Sequence, residues 1–212
     1  MSDRTFGDRY QSVGLERNPF TAPALGAPAC AAFVSRGIPD PPPAWSRTLV
    51  QVIGDSGFGK SSQLEHWRSA VPGPYHYIPR RPYRRRWSRP PTAEQCNGVI
   101  YGDEIDRMPR PLRRRWFSRL AARGVTVIIG THVDLARLGR RTGFDVITHQ
   151  LRPFDRATLG RAIDLRLRSV ATRDHIPELF SDSDVDEVFV RSGGVPEEAD
   201  VICHRLLAQR VR

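Results

Sequence analysis

The residues most able to do chemistry lie together in one stretch, Gly54-Asp55-Ser56-Gly57-Phe58-Gly59-Lys60-Ser61, which satisfies the pattern G-x-x-x-x-G-K-[ST] and runs on into Ser62. Glycines at this spacing let backbone amides converge on phosphate oxygens. An ammonium at Lys60 reaches the outer phosphates, and the Ser61 hydroxyl is offered to a hard divalent cation. Lys60 is the one lysine of the chain, the other 32 basic residues being arginine. A polyphosphate needs a compact, rotatable point charge where a planar guanidinium does not fit, so a lone lysine in an arginine-rich chain marks a site that requires an ammonium. The expected ligands are ATP and Mg2+.

A second constellation follows in Val99-Ile100-Tyr101-Gly102-Asp103-Glu104, an apolar run that delivers two carboxylates at its end. In open α/β sheets ligands bind beyond the carboxyl ends of the strands, so these carboxylates and the glycine loop are expected to share one crevice. Asp103 is suited to hold the metal ion through water, and Glu104 to polarise an attacking water. A third strand end, Gly130-Thr131-His132, offers a polar group between metal and outer phosphate. Thr131 is the first choice and His132 the reserve. Arg140 and Arg141 precede Gly143-Phe144-Asp145, where Arg141 is placed to reach the nucleotide of a neighbouring copy, which would make the protein a homo-oligomer.

Positioning these groups requires alternating strands and helices. Thr48 to Ile53 is β-branched and apolar and feeds the glycine loop, while Ser61 to Ala70 has helical character and ends before Pro72 and Gly73. Further strands are expected at 75–78, 97–101, 125–130 and 145–151, with helices at 111–123 and 134–138. This alternation implies an α/β fold, a parallel sheet with helices on both faces. From Pro153 onward only helices are expected, at 155–170, 183–191 and 196–210. Leu159, Ile163, Leu167 and Val170 recur at three to four residues and give an amphipathic face. Residues 1–46 are rich in Pro, Ala and Gly and read as irregular, apart from one short helix at 29–35. The expected organisation is an irregular segment over 1–46, a nucleotide-binding core over 47–152, and a small helical lid over 153–212.

Composition narrows the partners. A formal net charge of +10 in 212 residues favours an acidic partner, although a base-composition bias in the coding sequence would also produce the arginine excess. The arm from Arg80 to Arg89 interleaves Arg84, Arg85 and Arg86 with Tyr83 and Trp87. It joins phosphate-pairing guanidinium groups to rings that stack on bases, which suits DNA or another nucleic acid bound along its backbone. Arg113, Arg114 and Arg115 with Trp116 are expected to extend the patch. Cys30, Cys96 and Cys203 are far apart and lack the paired spacing of a zinc site. No apolar run is long enough for a membrane helix, and the start, Met1 to Tyr10, is polar without a signal-peptide core, so a cytoplasmic location is the default expectation.

With these motifs in place, the chain resembles the AAA+ class of P-loop ATPases, in particular bacterial transposition regulators, secretion ATPases and origin-recognition proteins. The resemblance covers about residues 15 to 210. Asn18-Pro19-Phe20 looks like the entry motif that such proteins carry near the adenine site, Gly54 to Ser61 like their Walker A, and Val99 to Glu104 like their Walker B. Thr131 falls where their first sensor sits, and Gly193-Gly194-Val195-Pro196 resembles the turn that opens the last helix of their lid. Family members often place a second-sensor arginine just after that turn, where this chain has Glu197 and Glu198. The expected activity is ATP hydrolysis or an ATP-dependent switch. A non-hydrolysing oligomerisation module is the first alternative and a P-loop small-molecule kinase the second. Against the kinase stands Glu104, because phosphoryl transfer to a small molecule has no use for a water-activating carboxylate.

Overall fold

A computed structural model describes residues 7–20, 33–79, 96–172 and 179–211. They fall into two compact units, one formed by Gly37–Arg152 and the other by Met1–Arg36 with Pro153–Arg212.

The first unit is built on five strands, β1 (Thr48–Ile53), β2 (Tyr75–Tyr77), β3 (Val99–Asp103), β4 (Thr126–Thr131) and β5 (Asp145–Gln150). They form one sheet in the order β2-β3-β4-β1-β5, and every pairing is parallel. A parallel sheet covered on both faces demands strands that are apolar on both faces, and β1, β3 and β4 are buried at every position. The edge strand β5 is largely exposed, which fits the polar residues Asp145, Thr148 and Gln150 in its sequence.

Two layers of helix cover the sheet. Leu49, Ile100, Val127 and Ile129 face Trp116, Phe117 and Leu120 of the helix Arg110–Ala122, while Val50, Val52, Tyr101 and Ile128 face Leu64 and Trp67 of the helix Lys60–Ala70. Successive strand residues thus serve opposite layers, as the period of two requires. This is the α/β P-loop fold expected from the sequence.

Numbered in chain order, the helices are α1 (Gly7–Ser12), α2 (Lys60–Ala70), α3 (Arg110–Ala122), α4 (Ala136–Arg141), α5 (Arg156–Arg168), α6 (Asp182–Ser192) and α7 (Pro196–Arg210). In the second unit α5, α6 and α7 pack around Leu159, Ile163, Val188, Ile202 and Leu207. Leu15 and Phe20 complete that core, and Leu15 makes an isolated antiparallel bridge to Ala171. Two local expectations are corrected. The first 46 residues contain α1, and residues 33–35 of the expected helix 29–35 are not helical. Gly37, with φ of 69°, and the prolines after it leave no downstream turn into which that helix could propagate.

The start of α6 shows how the helical unit is held. Ser181 accepts from the Asp184 amide, and Asp184 accepts from the Ser181 amide at 2.6 Å, a reciprocal capping box. Arg210 pairs with the same carboxylate and, with Ser181, holds its pKa down to about 2 from 3.8. A depressed carboxylate contributes stability above its unfolded pKa and loses it as pH falls through the folded value. We therefore expect stability to decline between about pH 4 and pH 2, and Ser181→Ala to cost about 1 kcal/mol at neutral pH, both read from urea-denaturation midpoints.

Candidate functional site

The glycine loop leaves the end of β1 and enters α2. Gly57 (φ 80°) and Gly59 (φ 85°) are both left-handed, a conformation that side-chain-bearing residues avoid, so these two glycines set the path of the loop. Gly59 is the N-cap of α2, with no side-chain cap and no acidic residue in the first turn. The leading amides of this helix are left for a ligand of negative charge. Gly54 is confined as well, since a Cβ there would stand 3.1 Å from that of Leu151.

Lys60 is 5 % exposed, and its Nζ donates to the carbonyls of Gly54 at 2.8 Å and Asp55 at 3.0 Å. Burial lowers its pKa, while Glu104, Asp103, Asp106 and Asp55 act in the opposite direction. Four carboxylates near one ammonium favour its charged form, the form that grips phosphate.

Strand β3 runs two residues further than the apolar pattern alone indicates, so that Asp103 is its last residue and is 1 % exposed. Its Oδ2 accepts from Ser61 Oγ at 2.6 Å and Tyr75 Oη at 2.8 Å, and its Oδ1 accepts from the Glu104 amide at 3.0 Å. Burial first, then the Asp103 charge, pushes the Tyr75 pKa upward, so Tyr75 remains a donor. Ser61 and Asp103 thus present adjacent oxygens, the donor set of a hard cation that takes its remaining ligands from phosphate and water. Among the described residues no cluster of three or more His, Cys, Asp and Glu forms a protein-only metal cage.

Glu104 adopts the left-handed region (φ 59°, ψ 36°) and caps a 3-10 turn at Ile105–Arg107. Its Oε2 lies 3.0 Å from Arg107 Nη2 and 2.8 Å from His132 Nε2. Strand β4 lies between the strand that feeds the glycine loop and the strand that ends in Asp103, so its last residues fall between Lys60 and the acidic pair. The Thr131 hydroxyl donates to the carbonyl of Val133 at 2.9 Å and accepts from its amide at 3.2 Å, closing a local turn. The ring of His132, by contrast, spans the site: Nδ1 lies 3.4 Å from Lys60 Nζ, and Nε2 meets Glu104. Its backbone amide donates to Asp106 Oδ1 at 3.2 Å.

Two contributors escaped the sequence reading. Tyr75, whose role depends on strand order, carries no local signal. Gly130 does: it interrupts an otherwise apolar strand, and a Cβ there would stand 2.5 Å from Asp103 Oδ1. Its missing side chain is what leaves room for the carboxylate.

The remaining candidates are dispersed. Asn18 and Phe20 lie in the helical unit, where Asn18 Oδ1 accepts from the Phe20 amide at 2.9 Å and Phe20 packs edge-on against Phe180. Pro19 lies between them, half-buried. Arg141 is exposed at the end of α4. The arm with Arg84, Arg85, Arg86 and Trp87 lies outside the described residues. Its expected extension is corrected at two positions. Arg113 is buried and donates to the carbonyls of Ile105 and Asp106, and Trp116 is a core residue 4 % exposed. Both fall on the face of α3 that packs on the sheet.

At the start of α7, Pro196 is the first helical residue, as expected. Glu197 and Glu198 are exposed in its first turn, where they complement the helix dipole. Among the described residues no helix is long and apolar enough to cross a membrane.

No protein-family model and no curated protein matches the sequence. Among solved structures the chain is similar to the Orc1 protein of Aeropyrum pernix in complex with DNA, with a TM-score of 0.46 and 15 % identity over 78 % of this chain and 55 % of that one. The chain therefore spans little more than half the length of that protein. The assignment of the fold rests on the parallel sheet order and the loop geometry described above.

Proposed function

We propose that the protein is an ATP-binding P-loop ATPase of the AAA+ type that binds ATP with magnesium, hydrolyses it, and works with nucleic acid. One observation carries the reading: the Ser61-Asp103 oxygen pair, the Lys60 ammonium and the Glu104 carboxylate converge beyond the carboxyl ends of β1 and β3, with β4 and its His132 between them.

Lys60 exchanges its bonds to loop carbonyls for the outer phosphates, and the α2 amides bind the inner ones. Ser61 and Asp103 would hold magnesium, which when bound neutralises charge on the phosphates. Glu104 accepts the proton of the attacking water, with Arg107 and His132 beside its carboxylate. The polar role at the end of β4, expected of Thr131, passes to its reserve His132, because the Thr131 hydroxyl is engaged with Val133. Arg141 is proposed to act on the nucleotide of a second copy, and Asn18, Pro19 and Phe20 to serve the adenine end. Nucleic acid is assigned to the arm with Arg84, Arg85, Arg86 and Trp87.

The test is stoichiometric ATP binding by calorimetry with and without magnesium, followed by phosphate release with and without single-stranded and duplex DNA. Saturable one-to-one binding with turnover supports the proposal. Tight binding without phosphate release under every condition would reduce the protein to a nucleotide-dependent oligomerisation module, a reading favoured by the Glu197-Glu198 pair where a second-sensor arginine often stands.

A further inference from the structure

The surface between α3 and α4 carries a charge imbalance that the nucleotide site does not use. From Met108 to Phe144 the sequence holds nine arginines and a single carboxylate, Asp134. The fold brings seven of these arginines and Asp134 to one open groove of about 1250 Å³, wholly within the Gly37–Arg152 unit, and of the seven only Arg113 is buried. Arg110, Arg114, Arg115 and Arg119 line it from α3, and Arg137 and Arg141 from α4. All six are exposed, and none makes an ion pair with any described residue.

Several arginines elsewhere in the chain are paired. In the helical unit Arg156, Arg166, Arg168, Arg191 and Arg210 each hold a carboxylate. A coding bias toward arginine places the residue without regard to its partners. It does not explain why these five hold carboxylates while the six of the groove have Asp134 alone among the described acidic residues lining it. Asp134 is one negative charge against six positive ones, held by Gln51 Nε2 at 2.6 Å and by the Ala136 amide at 2.7 Å.

From these observations we infer that the α3–α4 groove binds the sugar-phosphate backbone of a nucleic acid. The inference rests on the nucleic-acid part of the proposed function and moves its centre from the arm to this groove. Three features select the partner. The arginines repeat at i and i+4 on both helices, Arg110 with Arg114, Arg115 with Arg119 and Arg137 with Arg141, which spaces the charges about 6 Å along each axis. A polymer with a charge every 3.4 Å along each strand satisfies such rows, whereas protein carboxylates seldom recur so regularly. Guanidinium forks pair with phosphate oxygens through two parallel hydrogen bonds. Among the described residues no aromatic side chain lines the groove, Trp116 being turned into the core, so the contact made by these residues follows the backbone without stacking on bases. Binding is expected to be insensitive to base sequence and steep in salt.

The test measures fluorescence anisotropy of a labelled single-stranded oligonucleotide, a duplex of equal length and a polyglutamate peptide over a series of salt concentrations. Four proteins are compared, each first shown to bind ATP normally. They are wild type, a groove variant (R114Q, R115Q, R119Q, R137Q), an arm variant (R84Q, R85Q, R86Q) and a control with the same charge change in the helical unit (R17Q, R161Q, R168Q, R205Q). Arg141 is left in place because it is assigned a role at the nucleotide. The groove variant is expected to lose at least about tenfold in DNA affinity at 0.1 M salt, and its log-log salt slope to fall by roughly 3. The control should stay within about threefold of wild type. An unchanged slope in the groove variant overturns the inference, as does an equal loss in the control. Loss confined to the arm variant overturns the groove and keeps the arm. Polyglutamate bound as tightly as DNA, with the same dependence on the groove, assigns the surface to an acidic peptide instead. If wild type binds no nucleic acid, both nucleic-acid assignments fail, while the ATP measurement still stands or falls separately.

Discussion

Lys60→Ala is expected to weaken ATP binding by at least about 100-fold, equivalent to about 2.7 kcal/mol, with the fold retained. The estimate follows from charge-assisted hydrogen bonds worth about 1.5–3 kcal/mol each, made in a nearly water-free setting. Lys60 is 5 % exposed and lies among the charges of Glu104, Asp103, Asp106 and Asp55, so its removal also leaves four carboxylates facing an incoming polyanion. Lys60→Arg is expected to fail nearly as badly. The longer, planar guanidinium cannot take the position from which Nζ meets the carbonyls of Gly54 and Asp55 at 2.8 and 3.0 Å. Calorimetric titration with ATP and magnesium decides the matter, and far-ultraviolet circular dichroism confirms that each variant is folded. Wild-type affinity in the alanine variant would remove the phosphate-binding role from the loop.

How much of this was legible in the sequence depends on whether a residue's role is local. The glycine loop was legible because its conformation is encoded where it occurs: Gly57 and Gly59 have positive φ, and the lone lysine follows at once. The sheet was legible because strands buried on both faces must be apolar throughout. The acidic pair was placed correctly at a strand end, but β3 continues to Asp103, since Gly102 and Asp103 pair with neighbours although neither is apolar. Roles that depend on which strands are neighbours were hidden. Tyr75 reaches Asp103 across 28 residues of chain, and only the placement of β4 inside the sheet reveals that Gly130 must lack a side chain. The choice of Thr131 over His132 turned on orientation. A hydroxyl carried on the β-carbon closes on Val133, while the longer imidazole spans Lys60 and Glu104. Arg113 to Trp116 read as one basic patch, yet the period of 3.6 turns Arg113 and Trp116 inward and leaves Arg114 and Arg115 exposed.

Glu104→Gln is expected to lower ATP turnover by about 10²- to 10⁴-fold, the range for loss of a general base, while ATP affinity stays within about threefold of wild type. The backbone argues that this carboxylate is placed for function. A non-glycine residue at φ 59°, ψ 36° costs about 1–3 kcal/mol, and the surroundings hold it there. The Glu104 amide donates to Asp103 at 3.0 Å, and its carbonyl accepts from the Arg107 amide at 3.0 Å. At the far end, Arg107 Nη2 and His132 Nε2 lie 3.0 and 2.8 Å from the Glu104 Oε2, which is buried without an aligned hydrogen bond. Glutamine preserves the shape and one acceptor oxygen, so the strained turn and most of the packing survive, and what disappears is the basic site itself. This separates the variant from Lys60→Ala: one loses chemistry with binding intact, the other loses binding. Single-turnover phosphate release from preformed ATP complexes reads the chemical step apart from product release. Equal rates in wild type and Glu104→Gln would transfer the basic role elsewhere. Asp106 is another carboxylate of the site, but its Oδ1 already accepts from the His132 amide at 3.2 Å. A base there would need that bond to break before water could be activated, so Asp106→Asn, and not Glu104→Gln, would then be the variant that stops turnover.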